Sequence, residues 1–108
     1  MAFYLLQAAY TTEKWKTMVA EARCTEPRTV RPVIQKLGGK VISGFMAFGE
    51  YDVVEVYEIP DNVGAGAISA ALASTGIFKA IKTTPLMMSE DFDQGLKKAN
   101  EAGYGKAP

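Results

Sequence analysis

Apolar positions along the chain change their spacing several times, and each change predicts a new element. Residues 3–10 form a short aromatic and aliphatic run that predicts a strand. The next apolar residues recur with the period of an amphipathic helix, which Thr11 or Thr12 would cap: Trp15, Met18, Val19 and Ala22. A second helical segment begins at Pro27, with these residues expected on its buried face: Val30, Val33, Ile34 and Leu37.

The second half of the chain predicts a hairpin, a helix, a strand and a final helix. Two strands, residues 40–48 and 51–59, flank a tight turn at Gly49-Glu50. An Ala-rich segment, residues 63–75, predicts a helix, and residues 77–87 predict a fourth strand with Pro85 on an edge. The last helix is expected to be capped by Ser89 and to end at Gly103, with a contact stripe of Phe92, Leu96 and Ala99.

This order, β-α-β-β-α-β with an extra C-terminal helix, is the ferredoxin-like pattern of an α+β protein. It predicts a four-stranded antiparallel sheet with both main helices on one face. The length of 108 residues suits one domain, so we assign residues 1–108 to a single domain and expect residues 104–108 to form a frayed tail.

The predicted strands are apolar on both faces. On the third strand the two sets are Val53, Tyr57 and Ile59 against Val54 and Val56. On the second strand, strict alternation places Val41 and Phe45 on one face, with Ile42 and Met46 on the other. The helices can cover only one face, so we expect a homo-oligomer, at least a dimer, formed through the other sheet face.

Composition excludes several classes of function. Twelve basic and twelve acidic residues cancel, which argues against nucleic acid as a partner. No apolar run approaches the roughly 20 residues that span a membrane, and no basic segment precedes the first apolar stretch, so we expect a cytoplasmic protein. The chain has no histidine and one cysteine, Cys24, so we expect neither a metal site nor a cofactor, and covalent catalysis by Cys24 would lack a histidine base.

Three groups of residues are candidates for chemistry or ligand binding. Asp52 could act as a base with the Tyr51 hydroxyl as an acid, or these residues and Gly49 could simply build the hairpin turn. Arg23, Arg28 and Arg31 could clamp a ligand carboxylate or phosphate, or could lie on a solvated helix face. Several aromatic residues could line an apolar ligand pocket or belong to the core: Tyr4, Trp15, Phe45, Phe48 and Tyr57.

The stretch Phe48-Gly49-Glu50-Tyr51-Asp52-Val53-Val54, followed by Glu58-Ile59-Pro60-Asp61, resembles the GYD-domain family, which has a Gly-x-Tyr-Asp signature on a hairpin. The resemblance covers roughly residues 3 to 96 and departs after Gly76, where Ile77-Phe78-Lys79-Ala80 replaces an Asn-Val-Arg-Thr kind of segment. It implies a ferredoxin-like protein of the dimeric α/β-barrel type, and it implies no particular reaction.

The sequence therefore favours an oligomeric binding module for a small apolar or aromatic ligand, or a structural or regulatory protein. The alternative is a cofactor-free enzyme of the dimeric α/β-barrel kind, such as a monooxygenase, isomerase or decarboxylase, acting on a small organic substrate. In that alternative, Asp52 and Tyr51 would carry the reaction with help from an arginine.

Overall fold

The structure is a computed structural model that describes residues 1–106. Its elements follow the predicted order: β1 (Ala2–Tyr10), α1 (Thr12–Glu21), a π-helical turn (Glu26–Val30), α2 (Arg31–Lys36), β2 (Lys40–Met46), β3 (Val53–Ile59), α3 (Asn62–Ser74), β4 (Phe78–Leu86) and α4 (Ser89–Glu101). Part of the predicted frayed tail, residues 107–108, lies outside the described residues.

The four strands form one antiparallel sheet in the order β2-β3-β1-β4. The two strands that pair with β1 are β3 and β4, and neither follows β1 directly in the sequence. This is the split βαβ arrangement of a ferredoxin-like domain. The α+β class and the ferredoxin-like fold are therefore confirmed. Pro85 lies on β4, an edge strand, where the missing N–H costs no ladder hydrogen bond inside the sheet.

The core lies between the sheet and the helices α1 to α3. Every second residue of β3, from Val53 to Ile59, is buried on this helix-covered face. Ile34 of α2 and two residues of α3, Ile68 and Leu72, are buried against it. Thr11 caps α1 by accepting a hydrogen bond from the Lys14 N–H at 3.1 Å.

The second helical segment is less regular than its apolar spacing predicts. It begins as a π-helical turn containing Pro27 and becomes α-helical at Arg31, so that Pro32 falls in the first turn of α2. The Arg31 N–H donates to Glu26 O, five residues earlier, so Pro32 lies where the hydrogen bonding of the helix changes from the π to the α pattern. Leu37 was predicted to be buried, but it is 39% exposed because α2 ends at Lys36 and the chain turns away.

The hairpin between β2 and β3 also differs from the prediction. β2 ends at Met46 and β3 begins at Val53, so a longer connection replaces the predicted tight turn at Gly49-Glu50. The pairing register of β2 also shifts between Val41 and Ser43. The prediction that Val41 and Phe45 share a face was therefore wrong, because an irregularity of this kind reverses the alternation of side chains.

The open face of the sheet, turned away from α1 to α3, is mixed in character. The register gives it these apolar residues: Phe3, Leu5, Phe45, Val54, Val56 and Leu86. The same face carries polar and charged residues: Gln7, Lys40, Ser43, Glu58, Lys82 and Thr84. Apolar side chains on this face are in contact with solvent, since Phe45 is 67% exposed and Leu86 is 39% exposed.

The C-terminal helix α4 stands apart from this body. Every residue from Ser89 to Glu101 is exposed, although Phe92 and Leu96 were predicted to make contacts. The Cα radius of gyration is 17.3 Å, whereas a compact domain of this length has about 13 Å. Met88 occupies the N-cap position in place of the predicted Ser89.

Candidate functional site

A fully buried carboxyl group lies at the centre of the helix-covered face. Glu55 of β3 has 0% exposure, and its neighbours across the sheet are Leu6 of β1 and Gly44 of β2. A side chain at Gly44 would place its Cβ 2.9 Å from the Glu55 carboxyl carbon. The glycine therefore leaves the space that the buried carboxyl fills.

A second carboxyl group, from the π-helical turn, occupies the same space. A Cβ at Gly44 would also lie 2.5 Å from Oε1 of Glu26, which is 5% exposed. Nη2 of Arg31 donates a hydrogen bond to that same oxygen at 2.8 Å. Glu26 and Glu55 are thus buried side by side, and Arg31, whose side chain is 40% exposed, pairs with Glu26 from the solvent side. We call these three residues the carboxyl cluster.

The two carboxyl groups of the carboxyl cluster have different proton affinities. Burial and the nearby Glu26 raise the pKa of Glu55 to about 9. Burial acts to raise the pKa of Glu26 too, but the Glu55 carboxyl as a proton donor and the Arg31 guanidinium outweigh it and lower that pKa. No hydrogen bond of ordinary geometry reaches either Glu55 oxygen within residues 1–106, but the two carboxyl groups are close enough for a protonated Glu55 to stabilise the charge of Glu26.

Tyr10, the last residue of β1, is a fully buried aromatic residue near the carboxyl cluster. Its ring stacks on Phe78 with centroids 5.0 Å apart and meets the edge of Trp15 at 5.8 Å. Its buried hydroxyl has no hydrogen-bond partner in the part of the chain that the structure describes. Burial, with smaller contributions from Cys24 and Glu26, raises the pKa of this hydroxyl far above its ordinary value.

An apolar cleft of about 320 Å³ opens on the other side of Trp15. It runs between α1 and the end of β2 and is lined by Trp15, Met18, Val19, Arg23, Cys24, Met46, Ala47 and Phe48. Ala22 ends α1 in the left-handed conformation, with φ of 53°, and so turns Arg23 and Cys24 towards the cleft. Phe48 is 97% exposed at its rim.

The structure brings together three of the six residues predicted to contact a ligand. Trp15, Arg23 and Phe48 all line the cleft. Tyr4 and Tyr57 lie elsewhere in the core, with their rings stacked at 5.6 Å and the Tyr4 hydroxyl donating to Asn62 Oδ1. Burial, with a smaller contribution from the neighbouring Tyr4, raises the pKa of the Tyr57 hydroxyl to about 12.

Phe45 lies on the open sheet face, opposite Val54, and is therefore separated from the cleft by the sheet. Asp52 and Tyr51 lie at the start of β3. Asp52 Oδ2 accepts a hydrogen bond from the Tyr10 N–H at 2.9 Å, and the Asp52 N–H donates to Ala8 O at 2.8 Å. Asp52 therefore ties the hairpin to the end of β1, and Tyr51 is half-buried beside it.

Sequence reasoning missed the carboxyl cluster. One signal could have found Glu55, because it shares the alternation of Val53, Tyr57 and Ile59 and is the only charged residue in that inward-pointing set. No comparable signal marks Glu26, since its burial depends on the π-helical turn. Within residues 1–106, no group of three or more Cys, Asp or Glu side chains could hold a metal ion, and no helix is long and apolar enough to cross a membrane.

Comparisons with known proteins agree with the fold and identify the family. The crystal structure of FFRP-DM1 matches with a TM-score of 0.52 and 11% sequence identity, covering 81% of this chain and 100% of that one. At this identity the match shows a shared fold alone. A search of curated proteins finds no match. The family model described as the GYD domain matches residues 4–96, most of the chain, and this protein is therefore a member of the GYD-domain family.

Proposed function

We propose that this protein is a cytoplasmic, homodimeric module that binds a small apolar or aromatic molecule in the cleft beside α1. It would serve a structural or regulatory role through that ligand. The observation that carries the proposal is the cleft itself, in which Trp15, Arg23 and Phe48 converge. Its volume of about 320 Å³ lies at the lower end of the range for small-molecule sites.

The composition of the cleft favours an aromatic ligand with one negative group. Trp15 and Phe48 supply aromatic surface, which prefers stacked or edge-on contacts with another ring. Arg23 is an exposed cation at the rim, and its guanidinium has the geometry to hold a carboxylate or phosphate through two hydrogen bonds. A single small aromatic acid would satisfy both features.

A second candidate function is a cofactor-free enzyme that moves a proton on a small organic substrate. The carboxyl cluster favours it, because Glu55 retains a proton at neutral pH while Glu26 is ionised, so the pair offers an acid and a base. In this alternative Asp52 and Tyr51 remain further acid-base candidates. Glu55→Gln would then abolish turnover of a co-purifying ligand and leave its binding intact.

The binding proposal is tested with a matched pair of phenylalanine variants. The probe is 8-anilinonaphthalene-1-sulfonate, an aromatic anion whose fluorescence rises in apolar sites. Phe48→Ser changes the cleft, and Phe45→Ser changes the open sheet face. Both side chains are largely exposed, so neither variant is expected to unfold the protein. We expect Phe48→Ser and Arg23→Gln each to weaken probe binding about tenfold, and Phe45→Ser to leave it unchanged.

An equal loss in Phe45→Ser would move the binding site to the sheet and contradict the proposal. Unchanged binding in all three variants would do the same. Native mass spectrometry of freshly purified protein provides the complementary measurement. A co-purifying small molecule should be present in the wild type and depleted in Phe48→Ser.

A further inference from the structure

The C-terminal helix α4 carries an apolar stripe that its own chain does not cover. Met88, Phe92, Leu96 and Ala99 lie within a narrow arc of the helix, and the first three are each more than half exposed. An isolated helix of 13 residues is only marginally stable in water. Packing of this stripe against another surface would therefore stabilise α4.

The open sheet face is a second uncovered apolar surface on the same molecule. Phe3, Leu5, Val54 and Val56 occupy its two central strands, and Phe45 and Leu86 extend it to both edges. The helix cannot cover it within one chain, since α4 lies away from the body and is exposed along its whole length. Each chain thus has one uncovered helix stripe and one uncovered sheet face.

The dimensions of the two surfaces match. A helix of 13 residues is about 20 Å long. Four strands spaced about 4.8 Å apart place the edge strands about 14 Å from one another. One α4 can therefore reach across all four strands of a sheet.

The charges of the two surfaces are opposite. Asp91 and Asp93 flank the apolar stripe of α4, one on each side, whereas Glu90, Glu101 and the two lysines of the helix lie farther round it. The open face carries Lys40 and Lys82 against the single acid Glu58, a net charge of +1. Within residues 1–106, neither lysine lies within ion-pair distance of a carboxylate. Oppositely charged surfaces favour the correct docking over competing arrangements.

We propose that α4 is an exchanged arm, and that its stripe packs on the open sheet face of a second copy of this chain. A two-fold axis lets each copy give its helix and receive its partner's, so both uncovered surfaces are buried by one symmetric contact. This inference rests on the homodimer proposed above and names the element that covers the sheet. It also explains why α4 is amphipathic although all of its residues are exposed in the described part of the chain.

The test uses two substitutions on opposite sides of α4. Leu96→Asp places a charge in the stripe, and Gln94→Asp places the same charge two residues away on the far side of the helix. Both positions are exposed, so the fold should survive, which far-ultraviolet circular dichroism checks. Analytical ultracentrifugation should show the dimer Kd raised at least about 30-fold by Leu96→Asp, the size of an interface hot spot, and unchanged by Gln94→Asp.

The surface that receives α4 is identified by disulfide trapping. In a Cys24→Ser background, chains carrying Leu96→Cys are mixed with chains carrying Val56→Cys on the open face, and then oxidised. We expect a covalent dimer from this mixture and none when Gln94→Cys replaces Leu96→Cys. A covalent dimer formed instead with Val19→Cys would place α4 in the partner's cleft and overturn the inference.

The remaining outcomes separate this inference from the function proposed above. A wild type that is monomeric would overturn both the exchanged arm and the homodimer. A dimer that withstands Leu96→Asp but dissociates with Val56→Asp would overturn the arm alone, because the two sheets would then pack directly on each other. Binding of the fluorescent probe at Phe48 is measured independently, so its result tests the proposed ligand cleft and does not depend on the exchanged arm.

Discussion

A carboxyl group buried in an apolar layer destabilises the folded state unless it keeps its proton or gains a partner. In the carboxyl cluster both conditions are met by three residues. Glu55 holds the proton, Glu26 holds the charge, and Arg31 neutralises that charge from the more exposed side. One guanidinium is therefore enough for two buried acids, because only Glu26 carries a charge at neutral pH.

Glu55 should make the stability of the protein depend on pH. Its pKa is about 9 in the folded state, against an ordinary value of 4.5, so the folded protein keeps a proton that the unfolded chain releases. The stabilisation of the folded state by this proton is fully present below pH 4.5 and is lost as the pH rises to 9. We expect the free energy of unfolding to fall across this range, and Glu55→Gln to flatten the fall and stabilise the protein at pH 8 by up to about 5 kcal/mol.

Urea denaturation at pH 5 to 9 measures this effect. The scan starts at pH 5 because the pKa of Glu26 is lowered, so its stabilising charge is lost only at more acidic pH. Glu58→Gln is the matched control, since Glu58 lies on the same strand but on the open face. A Glu55→Gln profile as steep as that of the wild type would show that Glu55 is already ionised in the folded protein.

At the scale of the elements, the sequence predicts most of the fold because alternation and helical period are local properties. The strands and α1, α3 and α4 all lie within a few residues of their predicted bounds. The exceptions depend on pairing with distant residues. The register shift between Val41 and Ser43 is set by how β2 pairs with β3. The pattern of apolar residues along β2 alone does not predict it.

The candidate site was predicted in part for the same reason. Trp15 and Phe48 are aromatic residues near element ends, where the chain changes direction and clefts form, and both line the cleft. Tyr4 and Tyr57 have the same side-chain chemistry but lie opposite each other in the middle of paired strands, so they stack in the core. Aromatic character alone does not separate these settings, whereas strand register does.

The hairpin that carries the Gly-x-Tyr-Asp signature is joined to β1 through Asp52. Asp52→Ala would leave the buried N–H of Tyr10 without its acceptor, and we expect a loss of about 1–3 kcal/mol in the free energy of unfolding. Asp52→Asn keeps an oxygen in place and should cost less than half as much. Urea denaturation of both variants measures this, with Tyr51→Phe as a neighbouring control. Unchanged stability in Asp52→Ala would argue that the carboxylate is kept for chemistry.

At the scale of the whole molecule, the proposed second copy would explain both the elongated shape and the exposed α4. The longest dimension is 61 Å, against 30 and 21 Å for the other two. A single chain gains no burial from holding an apolar helix in solvent, and the ordering of its 13 residues costs conformational entropy. The exchange of α4 between two copies would offset that cost, so the helix and the dimer should form together.

This coupling predicts that the hydrogen exchange of α4 depends on protein concentration. Above the dimer Kd, amides from Ser89 to Glu101 should be protected, and dilution below the Kd should accelerate their exchange, because the released helix is too short to persist alone. Amides of α3 should be unaffected, since Ile68 and Leu72 are buried within the same chain. Leu96→Asp should reproduce the effect of dilution at high concentration, and Gln94→Asp should not. If α4 exchanged at one rate at every concentration, protected or not, its helix would be independent of the second copy.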